Sequence, residues 1–456
     1  MSIDRLLTKK NLITLGVIAL FIQATLSLLD WLLNVDWLYI VDYILLGITG
    51  FVAILFFARN KTPIRFQPAQ MLLILFMGWM ILSCLSMTVT YGSDWVSYNN
   101  AAILNTAVEI LLAFPLGYVL IREKKNTIGG ILLHILVMGW TLFITYVLIN
   151  VFQGKTVVAP NGGGLLMKDG SLCLNCNRNT TGSWEMLFFI VCFFMMLWNR
   201  KRSLRIIYAV ATFIHYFALT LSSSRAAIFS VLFGMMAMTG IAVYLRLGKQ
   251  KMARKLAIAL ASALVAGAAF YFLRPLVFKL LALCTGSSES GREMIYQDRT
   301  LSGRTDIWRW TIEGIFTSFR CAMFGVTPRS TPEMIAQMSN GAVKDMYTHN
   351  QILEIAASIG IPGLCIALAW FAIILKDSYK LFFVQKDMTP MLAIPVMILV
   401  LMLANMMEAY LVFYDHIDGY VFFLLCGLLY GGVNKPIMER KLSRQESRRK
   451  ARKKKK

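Results

Sequence analysis

Apolar residues fill long, nearly unbroken runs along the whole chain, and short polar stretches separate these runs. A helix needs roughly 20 residues to cross the hydrocarbon core of a bilayer, and twelve runs reach or approach that length. They cover 11–33, 37–58, 70–90, 101–121, 127–152, 183–199, 206–224, 226–245, 256–274, 350–375, 390–411 and 419–432. The pattern predicts an all-α fold, a polytopic transmembrane helical bundle of about 12 spans, with a long, partly helical loop between spans 9 and 10.

The composition is that of a membrane protein. Of the 456 residues, 57% are hydrophobic and only 15% are charged, and the mean hydropathy is +0.62; a soluble domain carries more charge. The first run lacks the small-residue cleavage site of a signal peptide. We therefore expect a bundle over 1–433, which includes the loops 153–182 and 275–349, and a basic tail over 434–456.

Basic residues predict the orientation of the bundle. Lys and Arg are enriched in cytoplasmic connections, and 33 of the 46 Lys and Arg lie in seven segments that the alternation of spans assigns to one side. These segments are 1–10, 59–67, 122–126, 200–205, 246–255, 376–389 and 434–456. The two long loops assigned to the other side are nearly neutral; 275–349 has 8 basic and 7 acidic residues. Both termini are expected in the cytoplasm and both long loops outside it.

The net charge of +22 is explained by the same asymmetry. From Lys435 onward the tail has 12 basic and 2 acidic residues, and a basic run beside a membrane face attracts anionic lipids. We expect anionic lipid headgroups as its partner and no nucleic acid.

The cysteines of the outer loops are Cys173, Cys176, Cys284 and Cys321. Cys173 and Cys176 have the spacing of a redox or zinc motif, but no second such pair and no histidine pair completes a metal site. We expect no metal here; a disulfide and free thiols both stay open.

Arg225 ends a small polar break, Ser222-Ser223-Ser224-Arg225, between two apolar runs. The break is assigned to the outer side, where basic residues are few, and small neighbours leave the guanidinium accessible. The planar fork of arginine suits phosphate oxygens, so Arg225 is a candidate anion ligand.

A second arginine begins an amphipathic pattern. From Ile307 to Phe319 the apolar positions follow a helical repeat, and Ser302-Gly303 suits a helix start. This predicts an amphipathic helix at the membrane interface, with Arg304 in its first turn. Thr331-Pro332-Glu333 predicts the start of another short helix.

His349 differs from the other histidines that lie near apolar runs. Thr348 and Gln351 form a capping-box pattern, which predicts His349 in the first turn of the tenth span, where backbone N–H groups and the helix dipole favour an anion. Glu354 follows one turn later, and 360–363 (Gly-Ile-Pro-Gly) predicts a kink. His134 and His215 are expected to be packing residues.

Three motifs together resemble the O-antigen ligase and Wzy-type polysaccharide polymerase superfamily. They are SSSRAA after a span, GRTDIW in a long outer loop, and THNQILEIAASIGIPG entering the next span. The segment Asn177–Gly182, NRNTTG, is similar to the family's Asn-rich element, although Arg178 stands where proline is common. The resemblance covers roughly Asn177 to Gly363.

The resemblance implies a membrane glycosyltransferase of the cytoplasmic (inner) membrane with an extracytoplasmic active site. Its partners would be a polyprenyl-diphosphate-linked glycan donor and a glycan, lipid or protein acceptor, with no cofactor. It implies that Arg225 and Arg304 bind the donor diphosphate and that His349 lies at the reacting centre, as a base or as a diphosphate ligand. Possible supporting residues are Asn177, Asn179, Tyr347, Asn350 and Glu354.

Two other classes stay open at this stage. A transporter or flippase also has about twelve spans, and the mid-span carboxylates Glu109 and Glu408 favour it, whereas the other polar signals concentrate at the outer surface. A non-catalytic scaffold gives no reason for the outer arginines. Within the enzyme class, no residue separates a polymerase from a ligase.

Overall fold

The computed structural model describes residues 9–33, 36–59, 67–92, 95–121, 127–155, 171–174, 177–248, 250–285, 303–383 and 390–434. Cys176, Ser302 and the tail from Lys435 onward lie outside these ranges. The helices are α1 (Lys9–Leu33), α2 (Asp36–Arg59), α3 (Pro68–Tyr91), α4 (Asn100–Leu120), α5 (Thr127–Phe152), α6 (Arg178–Trp198), α7 (Arg202–Ser222), α8 (Arg225–Arg246), α9 (Met252–Thr285), α10 (Arg304–Ile315), α11 (Phe319–Phe324), α12 (Thr331–Met338), α13 (Gln351–Phe383), α14 (Ala393–Asn405) and α15 (Ile417–Asn434). Single helical turns lie at Trp95–Tyr98, Pro328–Ser330 and Pro390–Leu392.

The predicted helical bundle is confirmed. Within the described ranges, eleven helices are long and apolar enough to cross a membrane, namely α1 to α9, α13 and α15. Neighbours along the chain pack together, as α6 does with α7 and α8 with α9, and α13 packs on the distant α3. The protein is therefore a multi-pass membrane protein.

The segment predicted as the eleventh span, 390–411, is different from the others. Its helix α14 has only 13 residues, and a non-helical segment, 406–416, follows it. Side chains supply acceptors for the backbone there: Oδ1 of Asn405 accepts from the Tyr410 amide over 2.7 Å and Oε1 of Gln351 accepts from the Leu411 amide over 2.8 Å. Because these bonds replace helical ones, the backbone can leave the helix inside the protein.

The large loop contains three short helices and packs against the bundle. The predicted amphipathic helix is α10, which buries Ile307 and Ile315 against α12 and α13. It ends at Ile315, earlier than the pattern predicted. A new helix, α11, begins at Phe319, because the Ser318 side chain caps it by accepting from the Cys321 amide over 3.0 Å. The Phe319 side chain is 82% exposed.

The predicted kink in α13 is confirmed. Ile359 and Gly360 have non-helical backbone angles, and Gly360 has φ +76°. A Cβ at Gly360 would lie 2.3 Å from the Met323 carbonyl oxygen, so only glycine fits. The kink lets α11 pack against α13.

The two histidines expected to pack do so. His215 is fully buried; its Nδ1 lies 2.7 Å from Oε2 of Glu185 and its Nε2 lies 3.0 Å from Oγ1 of Thr141. His134 hydrogen-bonds the Tyr208 hydroxyl.

Candidate active site

A cavity of about 120 Å³ lies where the first turns of three helices meet. Arg178 is the first residue of α6, Arg225 of α8 and Arg304 of α10. The remaining lining residues are Asn179, Ser223, Ala226, Ile307, Met346 and His349. The structure thus brings together the two arginines and the histidine that the sequence singled out.

Helix N-termini make this cavity suited to an anion. The first backbone N–H groups of a helix have no partner within it, and the helix dipole places partial positive charge there. An arginine at such a position has the same sign as the dipole, which costs about 0.3–1 kcal/mol. Three such arginines around one cavity oppose stability, and a bound anion would offset that cost.

Glu408 joins Arg304 to His349. Nη2 of Arg304 donates to Oε1 of Glu408 over 2.6 Å, and Nδ1 of His349 lies 3.0 Å from Oε2 of the same carboxylate. The Glu408 side chain is 4% exposed, whereas those of Arg304 and His349 are 17% and 27% exposed. A carboxylate that pairs with an arginine accepts hydrogen bonds, so this contact favours the tautomer of neutral His349 that carries its proton on Nδ1.

The second nitrogen of that ring is therefore the basic one. With the proton on Nδ1, Nε2 has its lone pair available, and it makes no hydrogen bond to the described residues. A carboxylate that holds a histidine in one tautomer and orientation prepares it to accept a proton. His349 lines the cavity, so the arrangement can support general-base chemistry there.

The mid-span location expected for Glu408 is wrong. Glu408 lies in the non-helical segment 406–416, at the cavity, because the predicted eleventh span stops being helical at Asn405. Glu109, the other carboxylate of that interpretation, is fully buried within the span α4.

The predicted capping of the tenth span is also corrected. α13 begins at Gln351, and Asn350 caps it, because its Oδ1 accepts from the amides of Ile352 and Leu353 over 3.0 and 3.2 Å. His349 therefore precedes the helix instead of lying in its first turn. Its backbone has φ +48°, an uncommon conformation for a residue with a side chain. This turn of the backbone directs the chain past the cavity.

Glu354 holds this turn in place and does not line the cavity. Fully buried, it accepts from Oγ1 of Thr348 over 2.9 Å and from the Tyr414 hydroxyl over 2.8 Å. Nε1 of Trp308, on α10, donates to the Thr348 carbonyl over 3.0 Å. These bonds connect the segment before α13 to α10 and to 406–416, and so hold His349 beside Glu408.

Tyr347 stands at the edge of this network. Its ring meets that of Tyr414 edge-on, with centroids 5.0 Å apart, and burial, with the nearby Glu354 charge, raises the pKa of its hydroxyl. The phenol therefore keeps its proton and acts as a polar, uncharged neighbour.

The start of α6 is held beside Arg225 by two features. Asn177 caps α6, because its Oδ1 accepts from the amides of Asn179 and Thr180, both over 2.9 Å. Gly182 allows close approach to the turn before α8: a Cβ there would lie 2.3 Å from Cβ of Ser224. Asn177 thus positions Asn179, which lines the cavity.

Gly182→Ala is expected to destabilise the protein by about 1–3 kcal/mol, because the added methyl group overpacks the contact with Ser224. The matched control is Gly78→Ala in α3, where an added Cβ meets no atom within 4 Å; it should leave stability unchanged or raise it slightly. Thermal unfolding of the purified variants measures both. Equal melting temperatures for the two variants would contradict the close approach of α6 to this turn.

Of the predicted residues, Arg225, Arg304, His349 and Asn179 line the cavity, whereas Asn177, Asn350 and Glu354 hold its walls and Tyr347 lies beside it. Sequence reasoning missed Glu408 and Arg178 as site residues. The signal for Glu408 was the polar cluster from Asn405 to Asp418 after an apolar run. The signal for Arg178 was a charge at the first position of a span.

Comparison with known proteins gives one family. No curated protein matches the chain. Residues 210–368 match the model of the O-antigen ligase family, and this range contains Arg225, Arg304 and His349; Arg178 and Glu408 lie outside it. The match confirms the resemblance to the O-antigen ligase superfamily over these residues, and this domain supports a membrane glycosyltransferase of the O-antigen ligase and polymerase type in general.

Proposed function

We propose that the protein transfers a glycan from a polyprenyl-diphosphate-linked donor to an acceptor hydroxyl at the outer face of the cytoplasmic membrane. The observation that carries the proposal is the cavity in which Arg225 and Arg304 lie beside His349 and its partner Glu408. Cationic groups for a leaving diphosphate and a base for an attacking hydroxyl are what this transfer needs.

In the proposed reaction, Nε2 of His349 accepts the proton of the acceptor hydroxyl as its oxygen attacks the anomeric carbon. The bond from that carbon to the diphosphate oxygen breaks, and polyprenyl diphosphate leaves with one more negative charge than the diester had. Arg225, Arg304 and the helix N-termini stabilise this charge. Glu408 stabilises the protonated His349. Direct displacement inverts the anomeric configuration.

The distribution of basic segments supports the outer face as the side of the proposed reaction. Most residues that line the cavity belong to 153–182, to 275–349 or to the break at Ser222–Arg225, which the Lys and Arg distribution and the alternation of spans assign to the outside. A lipid-linked donor would present its diphosphate at that surface, with its prenyl chain in the bilayer.

The acceptor distinguishes two activities. A repeat unit as acceptor gives a polymerase for capsule, exopolysaccharide or O-antigen chains, whereas another lipid or a protein gives a ligase. Of the two carboxylates that favour transport, Glu408 lies outside the helical spans and bonds two residues that line the cavity, and only Glu109 lies within a span. This favours transfer over transport.

The test is transfer by the purified chain in proteoliposomes, with lipid-linked oligosaccharide extracted from the source cells. We expect product only when donor and acceptor are on the face opposite the C-terminal tail, whose side is measured by protease access. The new linkage should have the inverted configuration by NMR, and product should form in EDTA because arginines handle the charge. Movement of intact lipid-linked glycan across the bilayer without a new linkage would contradict the proposal in favour of transport.

A further inference from the structure

The cavity has a third arginine that neither the family match nor the proposed reaction uses. Arg178 begins α6, at a position where proline is common in the resembling family, and it lines the cavity with Arg225 and Arg304. Its position depends on two contacts of this chain, the Asn177 cap and the close approach of Gly182 to Ser224.

Arg304 and Arg178 differ in whether a carboxylate neutralises their charge. Arg304 is paired with Glu408 at 2.6 Å, so much of its charge is offset. The Arg178 guanidinium makes no ion pair or hydrogen bond with any residue in the described ranges, and no carboxylate is among the described residues that line the cavity. Glu408 therefore neutralises only part of the positive charge of the arginines that line the cavity.

The volume of the cavity and its guanidinium groups indicate which kind of ligand it can bind. About 120 Å³ is several times the volume that a water molecule occupies in the liquid, which suits a compact anionic group. Guanidinium groups bind phosphate oxygens through paired N–H bonds. A diphosphate has two phosphoryl groups, and of its two proposed ligands, Arg225 and Arg304, Arg304 is already paired with a carboxylate. A third guanidinium group would complete the set of phosphate ligands.

We infer that Arg178 binds a phosphate of the donor diphosphate and makes this chain select a diphosphate linkage over a monophosphate linkage. The inference rests on the proposed function, and it adds a residue and a selectivity to it. Arg178 has no role in proton transfer, since His349 and Glu408 perform that step. Loss of Arg178 should weaken donor binding much more than it lowers the rate with bound donor.

The experiment measures binding of two probes to the full chain in detergent. The probes are farnesyl-diphosphate-linked N-acetylglucosamine and its farnesyl-monophosphate-linked counterpart, which differ by one phosphate. Arg178→Gln is compared with Arg309→Gln, a control on α10 whose exposed side chain pairs with Asp306 at 3.4 Å and does not line the cavity. Arg178→Lys keeps the charge without the fork.

The unmodified chain should bind the diphosphate probe more tightly than the monophosphate probe. Arg178→Gln should weaken diphosphate binding roughly tenfold to a hundredfold, change monophosphate binding little, and leave the melting temperature without ligand unchanged or higher. Arg178→Lys should be intermediate and Arg309→Gln unchanged. Equal losses for both probes, or none for Arg178→Gln, would overturn the inference while the proposed function stands. Failure of the unmodified chain to bind either probe would overturn both.

Discussion

Replacing Arg304 with alanine is expected to reduce glycan transfer by about 10²–10³-fold or more, because a preorganised donor to the leaving group is lost. The change also leaves the Glu408 carboxylate, which is 4% exposed, without its cationic partner. Arg304→Lys should recover little activity, since an ammonium group cannot bind the carboxylate and a phosphate through one planar fork. Single-turnover transfer in proteoliposomes measures the effect.

The control for this change lies on the same helix. Arg309 has an exposed side chain that pairs with Asp306 and Glu313 and does not line the cavity, so Arg309→Ala should keep full transfer. Membrane insertion and melting temperature show whether Arg304→Ala still folds. A well-folded Arg304→Ala protein with the activity of Arg309→Ala would remove Arg304 from the reaction.

The second large effect is expected for Glu408→Gln, a nearly isosteric change. Transfer should fall by about 10²–10⁴-fold, as when the partner of a catalytic histidine becomes an amide. The new amide N–H group can donate to Nδ1 of His349, which then favours the tautomer with the proton on Nε2. That nitrogen can no longer accept the proton of the acceptor hydroxyl.

Donor binding separates this effect from a loss of structure. Since Glu408→Gln keeps Arg178, Arg225 and Arg304, binding of the diphosphate-linked probe should persist while transfer is lost. Glu313→Gln, which removes an exposed carboxylate of α10, is the matched control and should keep both. If Glu408→Gln loses donor binding and transfer to the same extent, Glu408 positions Arg304 for the donor and His349 is not the base.

Several features of the protein follow from the sequence alone. Long apolar runs must form helices in a bilayer, because unsatisfied backbone groups are costly in hydrocarbon; the helical bundle and the approximate number of spans were therefore predictable. The break at Ser222–Arg225, the helix that starts at Arg304 and the kink at Gly360 were also predictable, since each depends on residues that are close in sequence. The family match agrees with these local motifs.

Tertiary structure decided which residues share the cavity and what each one does there. The apolar neighbours of Glu408 predict that it lies in a span, and only bonds to Gln351 and Arg304, distant in sequence, show that its segment leaves the helix. Arg178 joins the cavity because Gly182 allows contact with Ser224. His349 lies before α13 because Asn350 caps that helix. Sequence periodicity reports which face of a helix is apolar, whereas these features depend on contacts between separate segments, which packing alone determines.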